Sequence, residues 1–353
     1  MKTLRAALVV ALALMGTVVS APAGAQAIVS DNVRTFAVLP EGVRLPEGIT
    51  ANPANGDIYV GTFDFGSPNK LLRYDGRGRL IGSLEFGGTP LLGLQFGPKD
   101  GKVYIANFGA SKIQRVKADF TGPIEDVATI PGIGAPASRT VGNPDGSTDT
   151  IIFGSVGFPA PNGLAFDAAG NLYVSDSFQG AIFRIASAHA CAPCTPDLVK
   201  HDSLLATAGF PPFGANGVAF SADGKVLFIA NTGDDRVLKL TMATGAIDVF
   251  AESVNGADGL AMDVQGLLWV AANQADTLVA LDERGRVVAQ VGSFEGVRQG
   301  RPVGFLFPAS MVIIGREFFV TNLALALTPA IGDEPEEDVT RWTISRVLLP
   351  PLR

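Results

Sequence analysis

Short apolar runs separated by polar turns dominate the chain. Residues 161–185, PNGLAFDAAGNLYVSDSFQGAIFRI, show the pattern most plainly. A polar pair leads into an apolar run, a glycine turn, a second apolar run, a polar loop and a third run. This predicts three antiparallel strands. The same pattern recurs in EGITANPANGDIYVGTF (47–63), LGLQFGPKDGKVYIANF (92–108), NGVAFSADGKVLFIANT (216–232) and DGLAMDVQGLLWVAAN (258–273). A weaker copy, PASMVIIGREFFVTNLA, occupies 308–324, with WTISRV (342–347) as its expected outer strand. TFAVLP (35–40) is a candidate strand ahead of the first unit.

The second strand of each unit is nearly all apolar, as expected where both faces are covered. Each carries one aromatic residue: Tyr59, Tyr104, Tyr173, Phe228, Trp269 and Phe319. Packing between neighbouring units is their expected role. Asn55-Gly56, Asp100-Gly101, Gly170-Asn171, Asp223-Gly224 and Gln265-Gly266 supply the hairpin turns. The unit spacing lies in the forties where nothing intervenes, as from Glu47 to Leu92 and from Asn216 to Asp258. That period marks a propeller blade. The expectation is an all-β, six-bladed β-propeller forming a single domain over 28–353. Two insertions, 117–160 and 186–215, lie between blades and could form rims or lids.

The chain has 353 residues, 42 glycines and only 17% charged residues, which suits many short strands and tight turns. The N-terminus reads as a secretion signal over 1–27. Lys2 and Arg5 precede an apolar run, Ala6 to Val19, and Ala25-Gln26-Ala27 is a cleavage site. The mature chain is expected to begin at Ile28 and to be exported, periplasmic or secreted, without a membrane span. The net charge of −7 argues against nucleic acid and anionic membranes as partners. It is compatible with a divalent cation.

Cys191 and Cys194 are the only cysteines. In an exported chain they are expected to form a local disulfide. His189 and His201, the only histidines, flank the pair and leave a small zinc site open.

The first residues of the repeats include Glu47, Asn162, Asn216 and Asp258, with Leu92 and Ala309 in the other two units. If the first strand of each unit lines the channel, these four point inward at one mouth. Two carboxylates and two amide oxygens are hard donors that suit Ca²⁺. Any one Asn-Gly or Asp-Gly alone also reads as turn chemistry.

The chain resembles the SMP-30/gluconolactonase/LRE-like family of six-bladed propellers, related to paraoxonases and diisopropylfluorophosphatases. The likeness is strongest from Asn216 to Leu281, through ANGVAFSADGKVLFIANT and ADGLAMDVQGLLWVAAN. The resemblance implies one divalent metal held by Glu47, Asn216 and Asp258. Asn162 matches a position that contacts substrate or metal. It further implies hydrolysis of a small lactone or ester, with Asp258 as general base. Ala160 stands where sugar lactonases carry Arg, and the motif around Glu47 is EGI rather than EGP. No histidine is placed for a paraoxonase-like mechanism. The competing expectation is a non-catalytic propeller that binds a ligand or protein partner around a structural metal.

Overall fold

The computed structural model describes residues 28–30, 32–154 and 159–349. The predicted signal segment, 1–27, lies outside them. Six four-stranded antiparallel units form a closed ring, a six-bladed β-propeller. The inner strands are Pro46–Ala51, Leu91–Phe96, Pro161–Phe166, Ala215–Phe220, Ala257–Met262 and Pro308–Ile314. Each leads by a tight turn into a second strand: Ile58–Thr62, Lys102–Asn107, Leu172–Asp176, Val226–Asn231, Leu268–Ala272 and Glu317–Asn322. The turn glycines Gly56, Gly101, Gly170, Gly224 and Gly266 all have positive φ, between 64° and 91°. Only glycine adopts that backbone region without steric cost.

Each blade has a fourth, outermost strand, which in blades 1 to 5 the sequence pattern did not reveal. Part of each apparent insertion is such a strand. Glu125–Thr129 completes blade 2 and Asp197–His201 completes blade 3. These edge strands have exposed polar positions, so their apolar periodicity is weak.

The last blade departs from expectation. Its third strand is Thr343–Leu348, and its outermost strand is Val33–Val38 from the other end of the chain. Val33 faces Val347 and Val38 faces Thr343 in antiparallel register. Ile28–Ser30 pairs in parallel with the outer strand of blade 5, Val287–Val291. Strands from opposite ends of the described chain therefore close the ring by hydrogen bonds at the outer side of the last blade.

The second-strand aromatics are buried, as expected. Four bridge blades: Tyr59 to Phe96, Tyr104 to Phe166, Tyr173 to Phe220 and Trp269 to Phe318, with ring centroids 4.9–6.2 Å apart. Phe228 and Phe319 differ: their rings pair within their own blades, with Phe250 and Phe36. Each buried aromatic contributes roughly 1.5–3 kcal/mol, so blade stacking supplies much of the apolar stabilisation.

Cys191 and Cys194 are disulfide-bonded, and both cysteines of the described residues are accounted for. Their loop joins the third and fourth strands of blade 3 and docks on blade 2, where Cys194 N donates to Val127 O at 2.6 Å. It lies at the end of the ring opposite the starts of the inner strands. Among the described residues no helix is long and apolar enough to cross a membrane.

Candidate metal centre in the propeller channel

All six inner strands carry a bulge at the same place. The ladder slips between Pro46 and Ile49, Leu91 and Leu94, Pro161 and Leu164, Ala215 and Val218, Ala257 and Leu260, and Pro308 and Met311. The residues inside the bulges are Glu47-Gly48, Leu92-Gly93, Asn162-Gly163, Asn216-Gly217, Asp258-Gly259 and Ala309-Ser310. A bulge re-aims a side chain. Here five of the six first residues, all but Ala309, line one small cavity.

The glycines in these pairs are not turn residues; their φ values are not positive. They let neighbouring inner strands touch. A Cβ on Gly48 would meet Leu92 O at 2.2 Å, one on Gly93 would meet Asn162 O at 2.3 Å, and one on Gly163 would meet Asn216 O at 2.4 Å. Gly217 repeats this against Asp258 O at 2.4 Å and Gly259 against Ala309 O at 2.7 Å. Each glycine thus touches the backbone of the bulged pair in the next blade. In blade 6, Ser310 takes the glycine position, and Thr321 Oγ1 donates to Glu47 O at 2.6 Å. This contact closes the circle.

Glu47, Asn162, Asn216 and Asp258 are brought together, with relative exposures of 2–6%. A second tier from the ends of the second strands supports three of them. Asn162 Nδ2 donates to Ser177 Oγ at 3.0 Å, and Asn216 Nδ2 donates to Thr232 Oγ1 at 2.9 Å. Each hydroxyl spends its proton on the next blade, Ser177 on Ala215 O and Thr232 on Ala257 O, both at 2.7 Å. A hydroxyl has one proton, so each can only accept from its asparagine. That fixes both amides with Nδ2 on the hydroxyl and leaves their carbonyl oxygens for the cavity they line.

Asp258 is held differently. Asn273 Nδ2 donates to its Oδ2 at 2.9 Å. Asp258 Oδ1, Glu47 Oε2 and Asn273 Oδ1 are buried without a hydrogen-bond partner. No Lys, Arg or His is among the residues lining the cavity. Burial first, and the Asp258 charge second, push the Glu47 carboxyl well above its ordinary value. Burial likewise pushes Asp258 up to about 7, against lowering by hydrogen bonds from Asn273 and Asn216. Two buried carboxylates with orphaned oxygens are costly unless protonated or paired with a cation.

The donor chemistry fits an oxygen-seeking ion. No group of three or more His, Cys, Asp or Glu is placed to hold a metal ion among the described residues. Amide oxygens must therefore complete the set, which suits Ca²⁺ and disfavours zinc.

Ser177, Thr232 and Asn273 were not anticipated from the sequence. Each follows its ring residue by 15 or 16 positions. Aligning the ends of the second strands would have exposed them. The equivalent residues of blades 1, 2 and 6 are Phe63, Phe108 and Leu323. The channel mouth is thus polar over blades 3 to 5 and apolar over blades 6, 1 and 2, with Glu47 the exception.

The part of the second insertion after Asp197–His201 does reach the channel. Pro211 and Phe213 line the cavity, as do Phe307, Leu323 and Leu325. Phe213 lies 6.1 Å from Phe63, 6.3 Å from Phe108 and 5.5 Å from Phe178, ring to ring. The cavity is partly open and has a volume of about 30 Å³, room for an ion or one to two waters. Ala160 is fully buried, and its N–H donates to Asp176 Oδ2.

Fold and site together define a six-bladed propeller with an acidic, oxygen-lined centre at one channel mouth. The resemblance to the SMP-30/gluconolactonase/LRE-like family holds: residues 205–293, which include Asn216 and Asp258, match the model of the SMP-30/Gluconolactonase/LRE-like region. No protein of curated function matches the chain by sequence. Among solved structures, the chain is similar to regucalcin from Agrobacterium tumefaciens str. C58, described as a calcium-binding protein, at 16% identity and a TM-score of 0.61. The match covers 92% of this chain and 95% of that one. A luciferin-regenerating enzyme matches at 15% identity and a TM-score of 0.58, over 88% and 92% of the two chains. Virginiamycin B lyase from Staphylococcus aureus matches at 13% identity and a TM-score of 0.53, over 90% and 99%. At these identities the likeness establishes the fold, which carries more than one chemistry.

Proposed function

We propose that the protein is an exported hydrolase of small lactones or esters that depends on one divalent cation, Ca²⁺ by its donor set. The observation that carries the reading is the buried pair Glu47 and Asp258, each with an unpartnered oxygen and no basic side chain around them. Glu47, Asn162, Asn216 and Asp258 would hold the ion. Once bound, it supplies the positive charge that polarises an acyl carbonyl and stabilises developing oxyanion charge.

The chain's own groups do the rest. Asn273 grips Asp258 by one oxygen and leaves the other for the cavity. The free oxygen of Asp258 faces the cavity, where it can accept a proton from water. The hydroxide adds to the acyl carbon, the acyl C–O bond breaks, and the proton passes to the leaving alkoxide oxygen. Asn162, its nitrogen anchored on Ser177, turns its oxygen to the cavity it lines and would orient a water there.

Family matching over 205–293 supports lactonase-type chemistry. The leader pattern at Lys2, Arg5 and Ala25–Ala27 supports export, as does a disulfide, which persists in oxidising compartments. A second reading has one observation in its favour. The cavity is small and roofed by Pro211 and Phe213, as a purely structural ion would require.

One experiment separates the two. Metal content is measured on the purified protein, which is then assayed against a lactone and ester panel before and after chelation and cation return. Hydrolysis that is lost with the ion and restored with it supports the enzyme. Stoichiometric metal with no turnover on any substrate supports the binding propeller. Full activity in metal-free protein rejects the cation mechanism.

A further inference from the structure

We infer that the site takes a lactone or ester bearing a flat apolar arm, aryl or short alkyl, and that Phe213 is the residue that seats this arm. This inference rests on the hydrolase reading and specifies its substrate. The polar groups lining the cavity are Glu47, Asn162, Asn216, Thr232, Asp258 and Asn273. All of them belong to the donor set or brace it. Thr232 is engaged by Asn216 and Ala257, and one proton of each of the Asn162 and Asn216 amide nitrogens by a hydroxyl. Beyond the ion's donors, Asn273 Oδ1 is the one unpartnered lining oxygen, too few for the several hydroxyls of a sugar lactone. Leaving those hydroxyls unpaired in a buried site would cost affinity steeply.

The opposite wall offers only apolar surface. Phe63, Leu92, Phe307, Leu323 and Leu325 line it, and Phe213 closes it from the insertion. The Phe63, Phe108 and Phe178 rings pack edge-on or tilted against one another or Phe213. Phe65, 73% exposed, extends the same cluster outward, 5.0 Å from Phe63 and 6.1 Å from Phe108. A flat ring is the shape such a cluster accepts. The space present holds an ion but no lactone. Entry therefore requires a roof residue to move. Phe213 is the aromatic lining residue carried on an inter-blade loop from the insertion, and it is only half-buried. Its backbone is tied to blade 4 by Gly233 N donating to Phe213 O. The side chain can swing while the loop stays anchored.

The test uses the full chain loaded with Ca²⁺. Dihydrocoumarin and D-glucono-δ-lactone are compared as substrates. Their non-hydrolysable lactams, 3,4-dihydroquinolin-2-one and gluconolactam, are compared as ligands by calorimetry. Phe213→Ala and Phe213→Leu are measured beside the parent, with circular dichroism to confirm folding. The expected result is a preference for dihydrocoumarin in kcat/KM. Phe213→Ala should lower dihydrocoumarin turnover by at least ~10-fold and gluconolactone turnover far less, with Leu restoring most of the loss. Preference for gluconolactone, or an equal effect of Phe213→Ala on both substrates, overturns the inference. If neither lactone is hydrolysed, the hydrolase reading fails and the lactams still decide. Phe213-dependent binding of the quinolinone sustains the apolar seat, and failure to bind it removes the seat.

Discussion

Asn273 donates a 2.9 Å hydrogen bond to one oxygen of Asp258 and leaves the other oxygen buried without a partner. The bond does two things at once. It orients the carboxylate, and it leaves one lone-pair face for something positive. Asp258→Ala should abolish cation binding and hydrolysis while the propeller still folds. Asp258→Asn should melt higher than the parent in the metal-free state at about pH 8, because it removes an uncompensated buried charge. Calorimetry and metal analysis check both. A metal-free parent that outlasts the Asn variant would mean that the carboxylate is not a burden there.

Thr232 predicts an effect on a residue it only touches. Thr232→Val removes the acceptor that fixes the Asn216 amide. The amide is then free to turn its nitrogen toward the cavity. Cation affinity should fall by ~10–100-fold, as for other residues that orient ligands, and the metal-free protein should lose about 1–3 kcal/mol because Ala257 O loses its buried donor. Unchanged affinity in Thr232→Val would show that the amide needs no such anchor.

The raised carboxyl pKa values predict a pH dependence whose sign reverses with the ion. An unfolded Asp titrates near 4, whereas Asp258 is pushed up to about 7 in the fold. The folded state thus holds an extra proton between about pH 4 and pH 7. Its contribution is fully present below the unfolded pKa and is lost as pH rises through about 7. Metal-free protein should lose melting temperature across this window, with Glu47 shifting in the same direction. Cation binding needs the charged pair, so the stabilisation conferred by Ca²⁺ should grow with pH. Differential scanning calorimetry with and without chelator measures both slopes. A Ca²⁺ effect independent of pH would disconnect the two carboxyls from the ion.

The glycine contacts predict steep intolerance at positions that look like ordinary turns. Gly217→Ala would drive a Cβ to 2.4 Å from Asp258 O. It should cost about 1–3 kcal/mol as overpacking and weaken cation binding by displacing Asp258. Gly245→Ala serves as a control: it has open space but φ of +69°, so it should cost stability alone. Urea titrations paired with metal binding distinguish the two. Equal loss of binding in both variants would refute the contact argument.

The repeat could be read in the sequence because six copies of one pattern reinforce each other, even where a single copy is ambiguous. Glu47, Asn162, Asn216 and Asp258 stood out because they share a repeat position with Leu92 and Ala309, so the turn alone did not demand them. The bulge that aims them left only an X-Gly pair, which a hairpin turn would also produce. Ser177, Thr232 and Asn273 stayed hidden because their blade 1, 2 and 6 counterparts, Phe63, Phe108 and Leu323, share no chemistry with them. Val33–Val38 was visible as a strand, yet its partner lay at the far end of the chain. Long-range pairing of that kind leaves no local signal.

The clasp between Val33–Val38 and Thr343–Leu348 also sets when the site can exist. Its oxygen donors come from blades 1, 3, 4 and 5, and Glu47 is tied to the rest through Thr321 of blade 6. A nascent chain that has not yet delivered its final strand cannot present all of them in one circle. The donor circle is therefore a property of the closed ring and not of any single blade.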